Sequence, residues 1–213
     1  MVPYEARSST PKLGVYFAIA VLSIALSSGL ANIFAFDHKV LPDYIQKWLS
    51  NSSPFLIYSL IFTLVNKFLW KWKIPLSNYP IGETLLGIPD ISGEYRGYNE
   101  IFTFNEDDKS VQRVQAEAEV TITQTWTHIG VTYRGRSSSS EATAVVFDSS
   151  SRVYIKLEFL FELTPSSHDD EGNSQNRTYG VQTSRIFRDG TLEGTWFNGN
   201  RRHGSVNLTK KGT

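Results

Sequence analysis

The chain of 213 residues contains no cysteine. That excludes a disulfide framework, a thiolate metal site and a thiol nucleophile, and it suits a reducing compartment. Histidine is scarce as well: His38, His128, His168 and His203 stand in no metal-ligand spacing with one another, so no metal is expected. No glycine-rich phosphate loop is present, and Ser137–Ser140 lacks the Gly-x-Ser-x-Gly turn that presents a nucleophilic serine between a strand and a helix. Glu117 and Glu119 alternate on what reads as a solvent face. The expectation is a protein without catalytic residues or cofactor, one that binds rather than catalyses.

Excess charge of either sign is also lacking, since Lys+Arg and Asp+Glu both number 21. The balance conceals a split. Residues 1–73 carry 7 basic and 3 acidic side chains, while 74–213 carry 14 and 18. The longer, acidic part has no broad basic face, which excludes a nonspecific binder of DNA or RNA polymers. An anionic ligand there must be met by a few placed arginines.

What is abundant is apolar sequence near the N-terminus. Leu13–Phe36 holds 24 residues without a charge, about 36 Å of helix and enough to cross a bilayer. A signal peptide would have a shorter apolar core behind a basic leader, whereas Met1–Pro11 offers only Arg7 against Glu5. A second, weaker span covers about 51–70: Asn51–Asn66 is uncharged, Lys67 interrupts it, and Trp70-Lys71-Trp72-Lys73 forms an aromatic–basic belt. Between the spans, Tyr44, Ile45, Trp48 and Leu49 predict one amphipathic turn on the bilayer surface. Two crossings put both termini on one side, and Lys67, Lys71 and Lys73 favour the cytosol for residues 74–213. Ser23, Ser27, Ser28, Gly29 and Asn32 on the first helix, with Ser59, Thr63 and Asn66 on the second, provide small and polar groups for helix contacts. These could join helices of one chain or of several.

The organisation read from this is a two-helix transmembrane anchor over 1–73, a proline- and glycine-bearing linker over 74–90, and a β-domain over 91–213. Within that domain eight strand-like runs stand at about 92–104, 111–126, 127–134, 137–148, 152–163, 177–187, 191–198 and 203–210. Asp189-Gly190 and Asn198-Gly199 are hairpin signals, and Ser166–Asn176 is a long polar loop. Short connections imply antiparallel, up-and-down order, and eight such strands fit a small closed barrel whose interior is either filled with side chains or holds one small ligand, with an open sandwich as the alternative.

Alternation then assigns faces. Val153, Ile155, Leu157, Phe159, Phe161 and Leu163 form ordinary core. On the other strands the lumen is assigned Ala116 through Trp126, Ser138 through Val146, Tyr179 through Phe187 and Leu192 through Asn198, each at every second residue. The alanines and Gly194 leave space; Gln124, Ser138, Ser140, Arg185 and Asn198 place polar groups around it, near Trp126, Tyr133 and Trp196. Apolar walls with a few oriented polar groups describe a ligand pocket.

Two segments carry a resemblance. One is Gln124-Thr125-Trp126, with Ile129-Gly130-Val131 and the alternating Ser138 and Ser140 after it. The other is Gly190-Thr191-Leu192-Glu193-Gly194-Thr195-Trp196-Phe197, then Arg201-Arg202 and Gly204-Ser205-Val206-Asn207-Leu208. Behind two membrane helices, these resemble the two-transmembrane, β-strand-rich effectors of bacterial cyclic-oligonucleotide anti-phage signalling (CBASS). The resemblance implies a cytosolic β-barrel that binds a cyclic dinucleotide made by a partner nucleotidyltransferase, then homo-oligomerises in the inner membrane and disrupts it, an abortive infection that stops the phage. Trp196 and Asn198 stand where that family would show a tyrosine and a threonine, and Tyr179-Gly180 where it would show a histidine-containing turn; these departures bear on the identity of the bases. The ligand set implied is Gln124, Trp126, Tyr133, Ser138, Ser140, Arg185, Trp196, Asn198, Arg201 and Arg202, with the aromatics stacking on bases and the arginines meeting phosphates. From other classes, a membrane-tethered calycin-like carrier of an apolar molecule predicts a lumen without functional arginine, and a purely structural membrane subunit predicts a filled barrel.

Overall fold

The computed structural model describes residues 2–6, 12–35, 43–72, 83, 88–104, 110–135, 138–149, 151, 153–165 and 178–212. They fall into two compact units, Ser9–Ile88 and Met1–Ser8 with Pro89–Thr213. Apart from residues 83 and 88–90, the linker expected at 74–90 lies outside the described residues, as does the polar loop at 166–176.

In the first unit α1 spans Lys12–Ala35 and α2 spans Asp43–Lys67, succeeded by a single 3-10 turn over Leu69–Lys71. The surface turn expected around Tyr44–Leu49 is instead the first part of α2, continuous with the segment beyond it; Pro54 lies inside this helix. The helices run antiparallel, so that Tyr16 near the start of α1 meets Phe62 near the end of α2, with ring centroids 5.9 Å apart. Tyr16, Ile19 and Ser23 recur at helical spacing; Ile19 and Ser23 are buried, and the Ser23 hydroxyl donates to the Ile19 carbonyl at 2.6 Å. Both helices also expose large apolar side chains, Phe17, Leu22 and Ile24 on α1 and Phe55, Leu60 and Leu64 on α2. Among the described residues no helix is both long and apolar enough to cross a membrane; in α1 the described side chains are those of 16–26 and 28.

The second unit is a closed antiparallel barrel of eight strands: β2 (Gly93–Phe104), β3 (Val111–Gln124), β4 (His128–Gly135), β5 (Ser138–Asp148), β6 (Tyr154–Pro165), β7 (Thr178–Phe187), β8 (Thr191–Asn198) and β9 (His203–Lys210). Each strand pairs with the next, and β2 pairs with β9 to close the ring. These are the eight expected strands in the expected up-and-down order. A ninth strand adds to them. Residues Val2–Ala6 form a short β1 inserted between β4 and β5, so this stretch of the N-terminus belongs to the barrel rather than to the helical unit.

Tight turns set the register. At Asp189-Gly190 the Gly190 amide donates to the Phe187 carbonyl at 3.1 Å, and Gly190 takes φ +89°, which a side chain would oppose. The Asp189 carboxylate accepts the Thr191 amide at 2.8 Å, which lowers the Asp189 pKa.

The lumen has two parts. The end holding the start of β2 and the end of β3 is packed solid: Trp126, Tyr95, Phe147, Ile129, Leu157 and Leu208 are each at most 1% exposed. Strand directions place the chain's entry near Pro89–Ile91 at this floor, and the parallel pairing of Ala6 with Phe147 places the end of β1 there too. Gln124 closes the floor. Its side-chain oxygen accepts the Ile91 amide at 2.9 Å and its amide donates to the Pro89 carbonyl at 3.2 Å, while the Tyr95 hydroxyl donates to the Ile91 carbonyl at 2.8 Å. Burial, with Asp90 nearby, pushes the Tyr95 pKa up to about 12.

Two of the expected faces require correction. On β7 the buried residues are Thr178, Gly180, Gln182, Ser184 and Ile186, not Tyr179 through Phe187. The apolar side chains that suggested the other parity face outward, and Tyr179 is 62% exposed. Glycine at 180 is required because a Cβ there would collide with the Phe161 ring and the Phe197 carbonyl. On β5 a bulge between Ala142 and Ala144 switches faces. Ser138, Ser140 and Ala142 therefore point in above it, and Val145 and Phe147 point in below, while Ala144 is exposed.

Candidate ligand-binding site

Beyond the packed floor, the opposite half of the lumen holds a cavity of about 220 Å³. A barrel this small closes around side chains, so the cavity depends on which residues point inward there. The apolar wall comes from Ile101, Phe161, Leu163 and Val206. Glycines admit close neighbours rather than opening the space themselves: a Cβ on Gly204 would come within 2.8 Å of the Trp196 ring, and one on Gly194 would meet the Ser184 hydroxyl. The expectation that Gly194 leaves space is corrected by that contact.

The polar groups form a chain across the lumen. The Trp196 indole nitrogen donates to Asn99 Oδ1 at 2.9 Å, and Asn99 Nδ2 donates to the Tyr133 hydroxyl oxygen at 3.0 Å. Asn99 is 4% exposed, and both ends of its amide are engaged, so it orients two aromatic rings at once. Burial raises the Tyr133 pKa, and the bond from Asn99 partly offsets this. The hydroxyl therefore stays protonated at neutral pH, and its hydrogen is available to a ligand. Tyr133 faces Ser140 directly across the β4–β5 pair, which sets Ser138 and Ser140 beside it. Gln182 is buried and donates to the Ser184 hydroxyl at 2.8 Å, leaving its carbonyl oxygen as an acceptor.

The β8–β9 turn completes the mouth. Asn198 and Arg202 close it, with the Asn198 amide donating to the Arg202 carbonyl at 2.9 Å. Asn198 Oδ1 accepts the amides of Asn200 and Arg202, each at 3.1 Å, which leaves its side-chain NH₂ as the donor. The positive φ falls at Arg201 (58°) rather than at Gly199, so the hairpin is longer than the Asn-Gly signal implied. Arg202 lines the cavity and Arg201 does not. Among the described residues that line the cavity, Arg202 is the only charged one and none is a carboxylate.

Of the ten residues expected at the ligand, the cavity brings together Tyr133, Ser138, Ser140, Trp196, Asn198 and Arg202. Four stand elsewhere. Gln124 and Trp126 have the inward parity expected but lie at the floor, where Gln124 is committed to the entering chain. Arg185 points outward and stacks its guanidinium over the Tyr154 ring at 5.1 Å, the consequence of the one-residue parity error on β7. Arg201 is exposed on the turn. Asn99 and Gln182 were missed. Correct parity on β7 brings in Gln182, and Asn99 shares the inward face of β2 with Tyr95 and Ile101. The cavity also corrects the filled-barrel reading.

None of the curated proteins matches the chain in sequence. Residues 86–210 match the family model described as Cap15, cyclic dinucleotide receptor domain. That stretch contains all eight antiparallel strands and every residue lining the cavity. A receptor domain binds rather than transforms its ligand. Because the match takes in more than half of the chain and coincides with the closed barrel, this protein belongs to the Cap15 cyclic dinucleotide receptor family of CBASS β-barrel effectors.

Proposed function

We propose that the cavity between Trp196, Tyr133, Ser140 and Arg202 is where the cyclic dinucleotide sits, and that its binding turns the chain into a membrane-disrupting anti-phage effector. The observation that carries this reading is the cavity itself, a half-hollow lumen inside an otherwise packed barrel. Trp196 offers a base its aromatic face, a contact worth about 1–3 kcal/mol. The Asn198 NH₂, Gln182 carbonyl, Tyr133 hydroxyl and serine hydroxyls supply directional contacts for base edges and ribose. Arg202 at the mouth meets a phosphate.

The helical unit is read as the inner-membrane anchor. Leu13–Phe36 is uncharged, and α2 is apolar on two faces: Ile57, Ile61 and Val65 are half-buried while Phe55, Leu60 and Leu64 are exposed. Helices apolar all round are found in large cores or in lipid. Lys67 in the last turn of α2 and Lys71 beyond it favour a cytosolic barrel, the compartment in which a partner nucleotidyltransferase would make the ligand. A bound ligand shifts an equilibrium only through differential affinity, so the assembled state must bind it better than the dispersed one. Assembly then concentrates the helices, and weak contacts between them accumulate into membrane damage and abortive infection.

The test uses full-length protein in detergent with a panel of cyclic dinucleotides and, as controls, the corresponding mononucleotides and a fatty acid. At least one cyclic dinucleotide should raise the melting temperature and shift the protein to larger assemblies, and cells producing both should lose membrane integrity. A thermal shift with the fatty acid alone would return the reading to a carrier. A shift with a cyclic dinucleotide but no change in size or integrity would leave a receptor without the proposed membrane action.

A further inference from the structure

The ring is not sealed uniformly. Among the described residues, direct pairing between β4 and β5 is confined to Thr132 with Glu141, Tyr133 with Ser140 and Arg134 with Ser139. Below these pairs comes the bulge at Ala142/Ala144 in β5, and from there to the floor β1 occupies the gap between the two strands. Val2 and Pro3 run antiparallel to Ile129 and His128, and Tyr4–Ala6 run parallel to Val145–Phe147. The latter is the one parallel pairing among the described strands.

We propose that the gap between β4 and β5 is a strand-acceptor slot for the chain's own N-terminal segment, and that filling this slot tightens the cavity wall above it. Three observations carry the inference. Without β1, backbone donors and acceptors of Val145–Phe147 and of the start of β4 would form open edges beside side chains as buried as Val145, Phe147 and Ile129, an arrangement that folded sheets avoid. The slot is filled through ladders of only two and three residue pairs, short enough to open locally at low cost. Finally, the only direct β4–β5 pairs among the described residues are at the cavity wall, where Tyr133 and Ser140 face each other.

Opening the slot therefore loosens the seam that holds Tyr133 against Ser140. Conversely, a ligand that engages Tyr133 and Ser140 together staples the same seam from within. Coupling of this kind is reciprocal: whatever β1 docking does for ligand affinity, the ligand does for β1 docking. Since α1 begins at Lys12, occupancy of the cavity is passed to the segment leading into the first helix. This last step rests on the cyclic dinucleotide reading; the slot itself does not.

Hydrogen exchange on the full chain tests the slot without any ligand. Successive amides of a strand point to opposite sides, so Tyr4→Pro with Glu5→Pro removes the donor facing β5 whichever residue carries it. Exchange should speed up by about tenfold at Val145–Phe147 and, decisively, also at Tyr133 and Ser140; the single Glu5→Ala variant, opposite the outward Val146 and with every backbone donor of the segment kept, should change neither. Acceleration confined to Val145–Phe147, or none at all, overturns the proposal. Should the proline variant fail to fold, a lock decides instead. Glu5 and Val146 are opposed in register, and a chain without native cysteine permits Glu5→Cys with Val146→Cys to form one defined disulfide. Oxidation should slow exchange at Tyr133 and Ser140 relative to the reduced form, and equal rates refute the coupling. With cyclic dinucleotides added to wild type, any that binds should slow exchange at Val145–Phe147; binding without that protection also refutes it. If no member of the panel binds, the functional reading fails while the two ligand-free arms still decide the slot.

Discussion

Trp196 and Asn99 come from β8 and β2, strands that are not adjacent in the ring, and they meet through an indole-to-amide bond of 2.9 Å that spans the lumen beneath the mouth. Because Asn99 passes its own NH₂ on to Tyr133 at 3.0 Å, three strands position two aromatic rings through one amide. Such preorganisation lowers the ordering cost of binding a flat ligand.

Asn99→Ala breaks both bonds and leaves the Trp196 nitrogen and Tyr133 oxygen to water. The expected cost is about 1–3 kcal/mol of stability, read by chemical denaturation. Calorimetry should show a loss of cyclic dinucleotide affinity out of proportion to that cost, because both rings lose their orientation.

Arg202→Ala should weaken cyclic dinucleotide binding by about tenfold or more, the scale of one charge-assisted hydrogen bond, and should flatten the dependence of affinity on salt. Its main-chain bonds to Asn198 survive the change, so stability should hold. Arg185→Ala and Arg201→Ala serve as matched controls outside the cavity, with affinity unchanged. Equal losses in all three would mean a diffuse electrostatic effect rather than one phosphate contact.

Gln124→Leu keeps the bulk at the floor while orphaning the Ile91 amide and the Pro89 carbonyl. One buried and one part-buried group left unpaired should cost about 2–4 kcal/mol, measured as a lowered denaturation midpoint. Ligand affinity of the folded protein should stay within about twofold of wild type, since the floor does not line the cavity.

The Tyr95 hydroxyl has a folded pKa raised from 10.0 to about 12. The protonated form is the one the fold favours, so its contribution is fully present below about pH 10 and is lost as pH rises toward 12. Tyr133 is shifted in the same direction. Melting temperature should therefore hold from neutral pH to about pH 9 and fall steeply above pH 10. In Tyr95→Phe, less stable at neutral pH by about 1 kcal/mol for the lost bond to Ile91, the alkaline fall should be shallower. An identical fall in both proteins would assign the loss to other groups.

Much of this protein was determined by its sequence alone, because the relevant signals are local. The alternation that runs from Val120 to Trp126 and from Leu157 to Leu163, with turn residues at 189–190 and 198–199, dictates eight antiparallel strands in up-and-down order. Trp196 and Asn198, with Ser138 and Ser140, could be set on the lumen because β8 and the start of β5 keep strict period two. Where that period is broken or ambiguous, only the tertiary structure decided. The bulge after Ala142 turned Ala144 outward. On β7 the apolar Tyr179 and Val181 took the outer face because Phe161 fills the space beside Gly180, and Arg185 went out with them. Depth along the barrel also has no sequence signature. Gln124 and Asn198 are both inward amides, yet one fastens the entering chain at the floor and the other borders the cavity, since height in a closed ring depends on how all eight strands are staggered. The N-terminal strand is the clearest case: nothing local in Val2–Ala6 announces a partner, and its place exists only because β4 and β5 part below Tyr133 and Ser140, far from it in sequence.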